Sequence, residues 1–387
     1  MQMIDRIEPM PRSRMRMPVD MTLFVVTLAL VVIGLWMVFD TSFSKALDSQ
    51  QLGHDLYHYL RRQAGAAGVG LMLMLILMRF GYWNLKRLAI PAMVLGAVLL
   101  LAVFIPHIGH VENQAARWIK LGPAMFQASE LAKLALILYT ASYLARPHCN
   151  PRQIGERGLA PLLFVGMIYI VLIEREPDLG TAVVLFLTFM TQLFLGGARK
   201  RHLALILVIC AVGVAALGFG FGHRGGRVTT FFNPDKDVQG IGYQLFHARL
   251  AVGSGELLGM GFGQGREKYF LPQANSDFIF ATYAEELGLA GSLLMLTLQC
   301  LVSWRGFRIA SQTRDQFGSL LAGGIAALMS WQALINLGTA TGSIPATGVT
   351  LPFISNGATS LILLMTSVGI LLNIAQHPTA PPLSEFS

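Results

Sequence analysis

The chain has 387 residues, 54% of them hydrophobic and only 13% charged, against roughly 25% charged in an average soluble domain; its mean hydropathy is +0.57. The net charge of +8 is scattered in short basic clusters between apolar stretches, which argues against a nucleic-acid partner and for membrane topology. Three cysteines, Cys149, Cys210 and Cys300, lie far apart and offer neither a disulfide framework nor metal spacing.

A membrane-spanning helix needs about 20 mostly apolar residues. Ten such cores follow in order, near residues 21–39, 64–78, 88–105, 131–144, 159–173, 179–197, 203–221, 278–302, 318–337 and 358–374. The fourth and fifth are short and are expected to extend into their polar flanks. The first is long and lacks a convincing cleavage site, so no removable signal peptide is expected. The fold class is therefore an all-α polytopic membrane protein of about ten helices, with 1–387 as a single membrane domain and no internal repeat.

Lys and Arg in short loops set the direction of insertion. Arg6, Arg12, Arg14 and Arg16 precede the first core; Arg79, Lys86 and Arg87 follow the second, and Arg146, Arg152 and Arg157 the fourth. Arg199, Lys200 and Arg201 close the sixth, and Arg305, Arg308 and Arg314 follow the eighth. Both termini are thus expected in the cytoplasm, with an N-terminal segment at 1–20 and a short tail at 376–387 carrying Pro378, Pro381 and Pro382. One long extracytoplasmic loop, 222–277, separates the seventh and eighth cores. A loop of that length is usually functional or disordered.

This loop ends in FLPQANSDFIFATYAEELG, which puts Asp277 at a membrane entrance and Glu285 and Glu286 deeper in the apolar run. Carboxylates in spans usually face a cavity. Ser276 or Asp277 can also cap the following helix, and capping is compatible with chemistry. At least one of the two glutamates is expected to pair with a cation or a backbone group, since unpartnered ones would neutralise, and a structural buried network is the favoured reading. In QASELAK, Glu130 and Lys133 share a helical face at the outer end of the fourth core, either as a structural pair or as part of a site. Arg61 and Arg62 in YLRRQ, and Arg117, Trp118 and Lys120 in AARWIKLGP, lie outside against the positive-inside trend. Arginine forks fit phosphate oxygens, so they suit either lipid headgroups or a lipid-linked phosphate. EREPDLG (Glu174, Arg175, Glu176 and Asp178 around Pro177) reads as a turn and helix start.

Other signals carry little. GMGFGQG lacks the strand–helix setting of a dinucleotide fingerprint. His107 and His110 have no third ligand nearby, NPDKD (233–237) lacks a calcium-loop pattern, and no Ser-His-Asp arrangement is readable.

Taken in order, RWIKLGPAMFQASELAK, EPDLGTA, FFNPDKDVQGIGYQ, AVGSGELLGMGFGQG, FLPQANSDFIFATYAEELG and INLGTATGSIPATGVTLPFIS resemble the SEDS family (shape, elongation, division and sporulation), whose members include FtsW, RodA and SpoVE. The resemblance runs from the first core to the tenth, and GQGREKYFLP and RGFRIASQTRDQFG lean toward FtsW and SpoVE. It implies a peptidoglycan glycosyltransferase of the bacterial cytoplasmic membrane that polymerises lipid II beside a class B penicillin-binding protein, among membrane lipids. It also implies Asp277 as the catalytic residue, and Arg61, Arg62, Arg117, Glu130, Lys133, Gln244 and Lys268 as substrate-binding positions. No cofactor is certain; a divalent cation, Mg or Mn, stays open. Two departures stand out: Gln273 where the family often has Glu, and SNGATS (355–360) in place of a Ser-Tyr-Gly-Gly-Ser-Ser type. A lipid II transporter and a non-catalytic scaffold for a penicillin-binding protein are the alternatives. A transporter would instead gather charge near the bilayer midplane, often with repeat symmetry.

Overall fold

The computed structural model describes residues 17–48, 55–106, 108–112, 115–121, 124–220 and 242–377. The basic residues of 1–16, His107, NPDKD, the first part of the long loop and the proline-bearing tail lie outside the described residues.

Each of the ten apolar cores is a helix: α1 (Met21–Asp48), α2 (His58–Arg79), α3 (Trp83–Ala102), α4 (Ala128–Leu144), α5 (Ala160–Arg175), α6 (Leu179–Leu195), α7 (Lys200–Gly220), α9 (Ile279–Gln312), α10 (Gln316–Ala340) and α11 (Ala358–Gln376). A shorter helix, α8 (Tyr243–Ser254), lies in the long loop. Six of these, α1, α2, α3, α9, α10 and α11, are long and apolar enough to cross a membrane by length and composition. α4 and α5 take in Ser129, Glu130, Glu174 and Arg175 from their flanks yet reach only 17 and 16 residues. At 1.5 Å per residue that is about 25 Å, so the expected extension amounts to a turn or less.

One element differs from the all-helical expectation. Between α3 and α4 the chain forms an antiparallel sheet of β1 (Gly109–Glu112), β2 (Ala115–Leu121) and β3 (Ala124–Gln127), in the order β1-β2-β3. Trp118 faces Gln127 and Lys120 faces Met125 across the second pair. On β2, Ile119 is buried and its neighbour Lys120 exposed, as a strand with one covered face requires. Open sheet edges are not tolerated in hydrocarbon, so this sheet stands above the membrane.

α4, α10 and α11 form the centre and are buried along most of their length. α2 lies along α11, α9 along α10 and α3 along α4. Polar side chains join these helices where hydrophobic attraction gives little. Asn373 on α11 donates to the Met78 carbonyl and accepts from the Tyr82 amide, both at 2.9 Å. Gln192 on α6 donates to the carbonyls of Ile137 (2.9 Å) and Leu320 (3.2 Å). Such bonds average about 0.6 kcal/mol in membranes.

Two charged clusters on α1 and α9 mark the membrane edges. At one face Arg305 pairs with Asp20 at 2.8 Å. At the other, Lys268 pairs with Asp40 at 2.7 Å and with Glu286 at 2.9 Å. Asp20 and Asp40 are separated by about 30 Å of helix rise, and Glu286 and Arg305 by nearly as much. That is the thickness of a bilayer's hydrocarbon core. Asp277 lies beyond the Glu286 level, outside the apolar slab.

Candidate functional site

Asp277 is half-buried, immediately before α9. The helix has Phe278 at its N-cap and no side-chain cap; the Ser276 hydroxyl turns back to Gln273 Oε1 at 3.0 Å. Gln273, where the family often has Glu, holds a left-handed backbone at φ 60°. The Ser276 hydroxyl is thus engaged within its own turn rather than on the amides of α9.

The backbone around Asp277 is pinned instead from α10 and from the 341–357 segment. Asn336 Nδ2 donates to the Asp277 carbonyl at 2.9 Å and to the Val349 carbonyl at 2.7 Å. The Ser355 hydroxyl donates to the Ser276 carbonyl at 2.6 Å, and the Asn356 amide to the Asn275 carbonyl at 2.8 Å. Gly348 passes the carboxylate so closely that a methyl there would lie 3.6 Å from Asp277 Oδ2.

The same segment gathers the other candidates. Gln63 on α2 donates to the Ser355 carbonyl (3.1 Å) and accepts from the Gly357 amide (3.2 Å). This fixes the helix turn that carries Arg61 and Arg62, both exposed; Arg61 pairs with Asp55 at 3.1 Å. The Gln127 amide donates to Thr359 Oγ1 at 3.4 Å, joining SNGATS to β3 and the first turn of α4. There Lys133 Nζ meets Glu130 Oε1 at 2.8 Å, with both side chains buried. Burial of the pair is compatible with either reading, a structural pair or part of a site.

Arg117 on β2 holds the α5–α6 connection. It donates to the carbonyls of Glu176 (3.1 Å) and Pro177, and stands 3.8 Å from Asp178 Oδ2. Asp178 caps α6 by accepting from the Thr181 amide at 3.1 Å. Next along, Gly180 packs so tightly on the Thr347 carbonyl that any Cβ would collide with it. Arg117 therefore reaches Asp277 through Asp178, Gly180 and the 347–348 backbone. Beside it, Glu176 is fully buried and neither of its carboxyl oxygens has a hydrogen-bond partner. Burial, and secondarily the Asp178 charge, push it up to about 8, while Arg117 pulls the other way.

Two candidates lie apart from this group. Lys268 is buried between Asp40 and Glu286 and also reaches the Gly263 carbonyl at 3.3 Å, so its charge is met inside the fold. Gln244 sits half-buried on the first turn of α8. As expected for the glutamates, Glu286 meets Lys268 and the amides of Gly263 and Gly265, and Glu285 accepts from Arg266 and Glu267. Among the described residues no group of three His, Cys, Asp or Glu side chains could hold a metal ion. Sequence reasoning missed Gln63 and Asn336, although both are amides in apolar runs, where polar side chains need a reason.

A family model described as cell cycle protein, covering FtsW, RodA and SpoVE, matches residues 20–380. Stage V sporulation protein E of Bacillus subtilis is 38% identical over 359 residues, covering 92% of this chain and 97% of that protein. A probable peptidoglycan glycosyltransferase FtsW of Hahella chejuensis is 38% identical over 371 residues, covering 95% of this chain and 92% of that protein. A chain from a solved peptidoglycan synthase complex, described as coordinating polymerization and crosslinking, superimposes with a TM-score of 0.78 at 28% identity, covering 94% of this chain and all of that one.

Proposed function

The chain belongs to the FtsW, RodA and SpoVE family, and on that premise we propose that it is a peptidoglycan glycosyltransferase polymerising lipid II at the outer face of the cytoplasmic membrane. The observation that carries the reading is the setting of Asp277: a half-buried carboxylate beyond the apolar slab, with its backbone fixed on both sides. A general base must be held within hydrogen-bond reach of its proton. Here Asp277 takes the proton of the acceptor sugar's 4-hydroxyl. The freed oxygen pair attacks the anomeric carbon of the lipid-linked donor, and the bond from that carbon to the diphosphate oxygen breaks. The diphosphate leaves with the electron pair and meets fixed cations, which act most strongly where water is excluded.

Arg61 and Arg62, both exposed on the turn held by Gln63, are the accessible cations among them. Arg117 acts by fixing the α5–α6 connection that packs on the 347–348 backbone, and the buried Lys133 is held by Glu130. The basic loops orient both termini to the cytoplasm, which puts Asp277 outside, where lipid II is used. A class B penicillin-binding protein is the expected partner, in line with the crosslinking named for the neighbouring complex. A transporter would place its charges near the midplane; these gather at one face.

The test is purified protein, with and without candidate penicillin-binding proteins, given lipid II and examined for glycan strands on a gel. Strands from the native chain and none from Asp277→Asn are expected. Equal polymerisation by the two would overturn the assignment of the base.

A further inference from the structure

The long loop contains a turn that the proposed reaction does not use. After α8 the chain reverses through GELLGMG (255–261), and this turn is bonded to α9 well below Asp277. The amides of Leu289 and Ala290 donate to the carbonyls of Glu256 (2.9 Å) and Leu257 (3.2 Å), while those of Met260 and Gly261 donate to the carbonyls of Glu285 (3.0 Å) and Glu286 (3.1 Å). These partners exist because α9 is broken at Gly288, whose φ of 63° and ψ of −159° interrupt the helical ladder. Gly259 lies so close to the Glu286 carbonyl that a Cβ would collide with it. The turn is built against the helix and held in one register.

Its outward side is apolar. Leu257 and Leu258 are 69% and 82% exposed, with Met260 beside them. On α8, Phe246 and Leu250 are exposed one turn apart while Leu245, Ala248 and Ala251 face inward. On α9 the exposed side chains continue as Leu289, Leu293 and Leu294. Burying a leucine stabilises by about 1.5–3 kcal/mol relative to exposure, so two such tips held rigidly in water forfeit several kcal/mol.

We propose that this turn is a foot set in the outer leaflet, with Leu257 and Leu258 among the lipid chains. Two independent observations point to lipid. The first is depth: the charged cluster at Asp40, Lys268 and Glu286 marks the edge of the apolar slab, and the turn bonds to Leu289 and Ala290, three and four residues further in. Beyond the Gly288 break this lies inside the edge, where interfacial apolar faces settle. The second is the backbone: irregular chain is tolerated at such depth where protein meets its polar groups, and the α9 kink meets the carbonyls of Glu256 and Leu257 and the amides of Met260 and Gly261. The foot fixes the height above the lipid of the loop that ends on Asp277. The proposal rests on membrane embedding alone, not on the reaction.

The test uses the full chain in phosphatidylglycerol/phosphatidylethanolamine vesicles, with Cys149, Cys210 and Cys300 replaced by alanine. A bimane fluorophore is attached singly at Leu257→Cys, Leu258→Cys or Thr341→Cys. Thr341 is exposed just past the end of α10, above the Asp277 level. Lipids brominated high on the acyl chain should quench labels at 257 and 258 severalfold more than at 341, and aqueous iodide should show the reverse order. Iodide quenching at 258 equal to that at 341 would overturn the proposal by placing the turn in water. Protection from both quenchers would overturn it by showing that protein, such as a second copy, covers the turn.

Discussion

Two groups of carboxylates sit within one stretch of chain at the same face, and they are treated in opposite ways. Glu285 and Glu286, with Asp40, are saturated: one lysine and four backbone amides meet them. Asp277 is half-buried at the mouth of the helix, its backbone fixed while its carboxylate lies against a glycine. In the first group charge is used up in holding a loop to a helix. In the second the main chain is held from α10 and the 341–357 segment, which fixes where the side chain stands. The difference separates architecture from chemistry, and three substitutions test it.

The largest expected effect is on rate. Asp277→Asn keeps size and removes basicity, so polymerisation should fall on the order of a thousandfold, with no change in thermal unfolding in detergent. Lys268→Met should do the converse. It leaves Asp40 and Glu286 buried without their cation, and breaking a buried pair costs about 3–5 kcal/mol. A large drop in unfolding temperature is expected, partly restored by adding Glu286→Gln. Unchanged stability in Lys268→Met would remove the distinction drawn above.

Between these lies the Glu130–Lys133 pair. Exchanging the two residues keeps the total charge and moves the cation by about a helical turn. Misplacement of a catalytic group by only about 1 Å can cost on the order of a hundredfold. The exchanged protein should be made and inserted normally but polymerise lipid II at roughly a hundredth of the native rate. A near-native rate would make the pair purely structural.

Much of this was legible in the sequence because membranes simplify reading: apolar runs of spanning length can only be helices, and all ten are. Asp277, Glu130 and Lys133 stood out because charge in apolar company is costly. The sheet at 109–127 is not legible, because its strands of four to seven residues carry little pattern beside the flanking spans. Lys268 enters as a substrate-binding position only through the family resemblance, and a basic residue in a polar loop gives no hint of carboxylates at Asp40 and Glu286, respectively 228 and 18 positions away in the chain. Likewise, EREPDLG was read mainly as a turn, since nothing in its composition reveals the strand that brings Arg117 to it.

That connection supplies the last and smallest effect. Glu176 has its carboxyl raised from 4.5 to about 8 by burial and by Asp178, and both of its oxygens lack partners. In the unfolded chain it ionises near 4.5, so between that pH and about 8 the folded state binds more protons. The sign follows: stability from this residue is fully present below 4.5 and is lost as pH rises toward 8. Each pH unit in that window is worth at most about 1.4 kcal/mol, or roughly 2 kcal/mol between pH 6 and 7.5. Histidines and other groups titrate nearby, so the informative quantity is the difference between the native chain and Glu176→Gln, which carries a neutral group at every pH. Thermal unfolding in detergent should show the native protein losing stability relative to the variant as pH rises from 6 to 7.5. Parallel curves would mean that Glu176 is ionised throughout and that Arg117 holds it as a carboxylate, turning the connection into an ion-paired cluster like the one at Lys268.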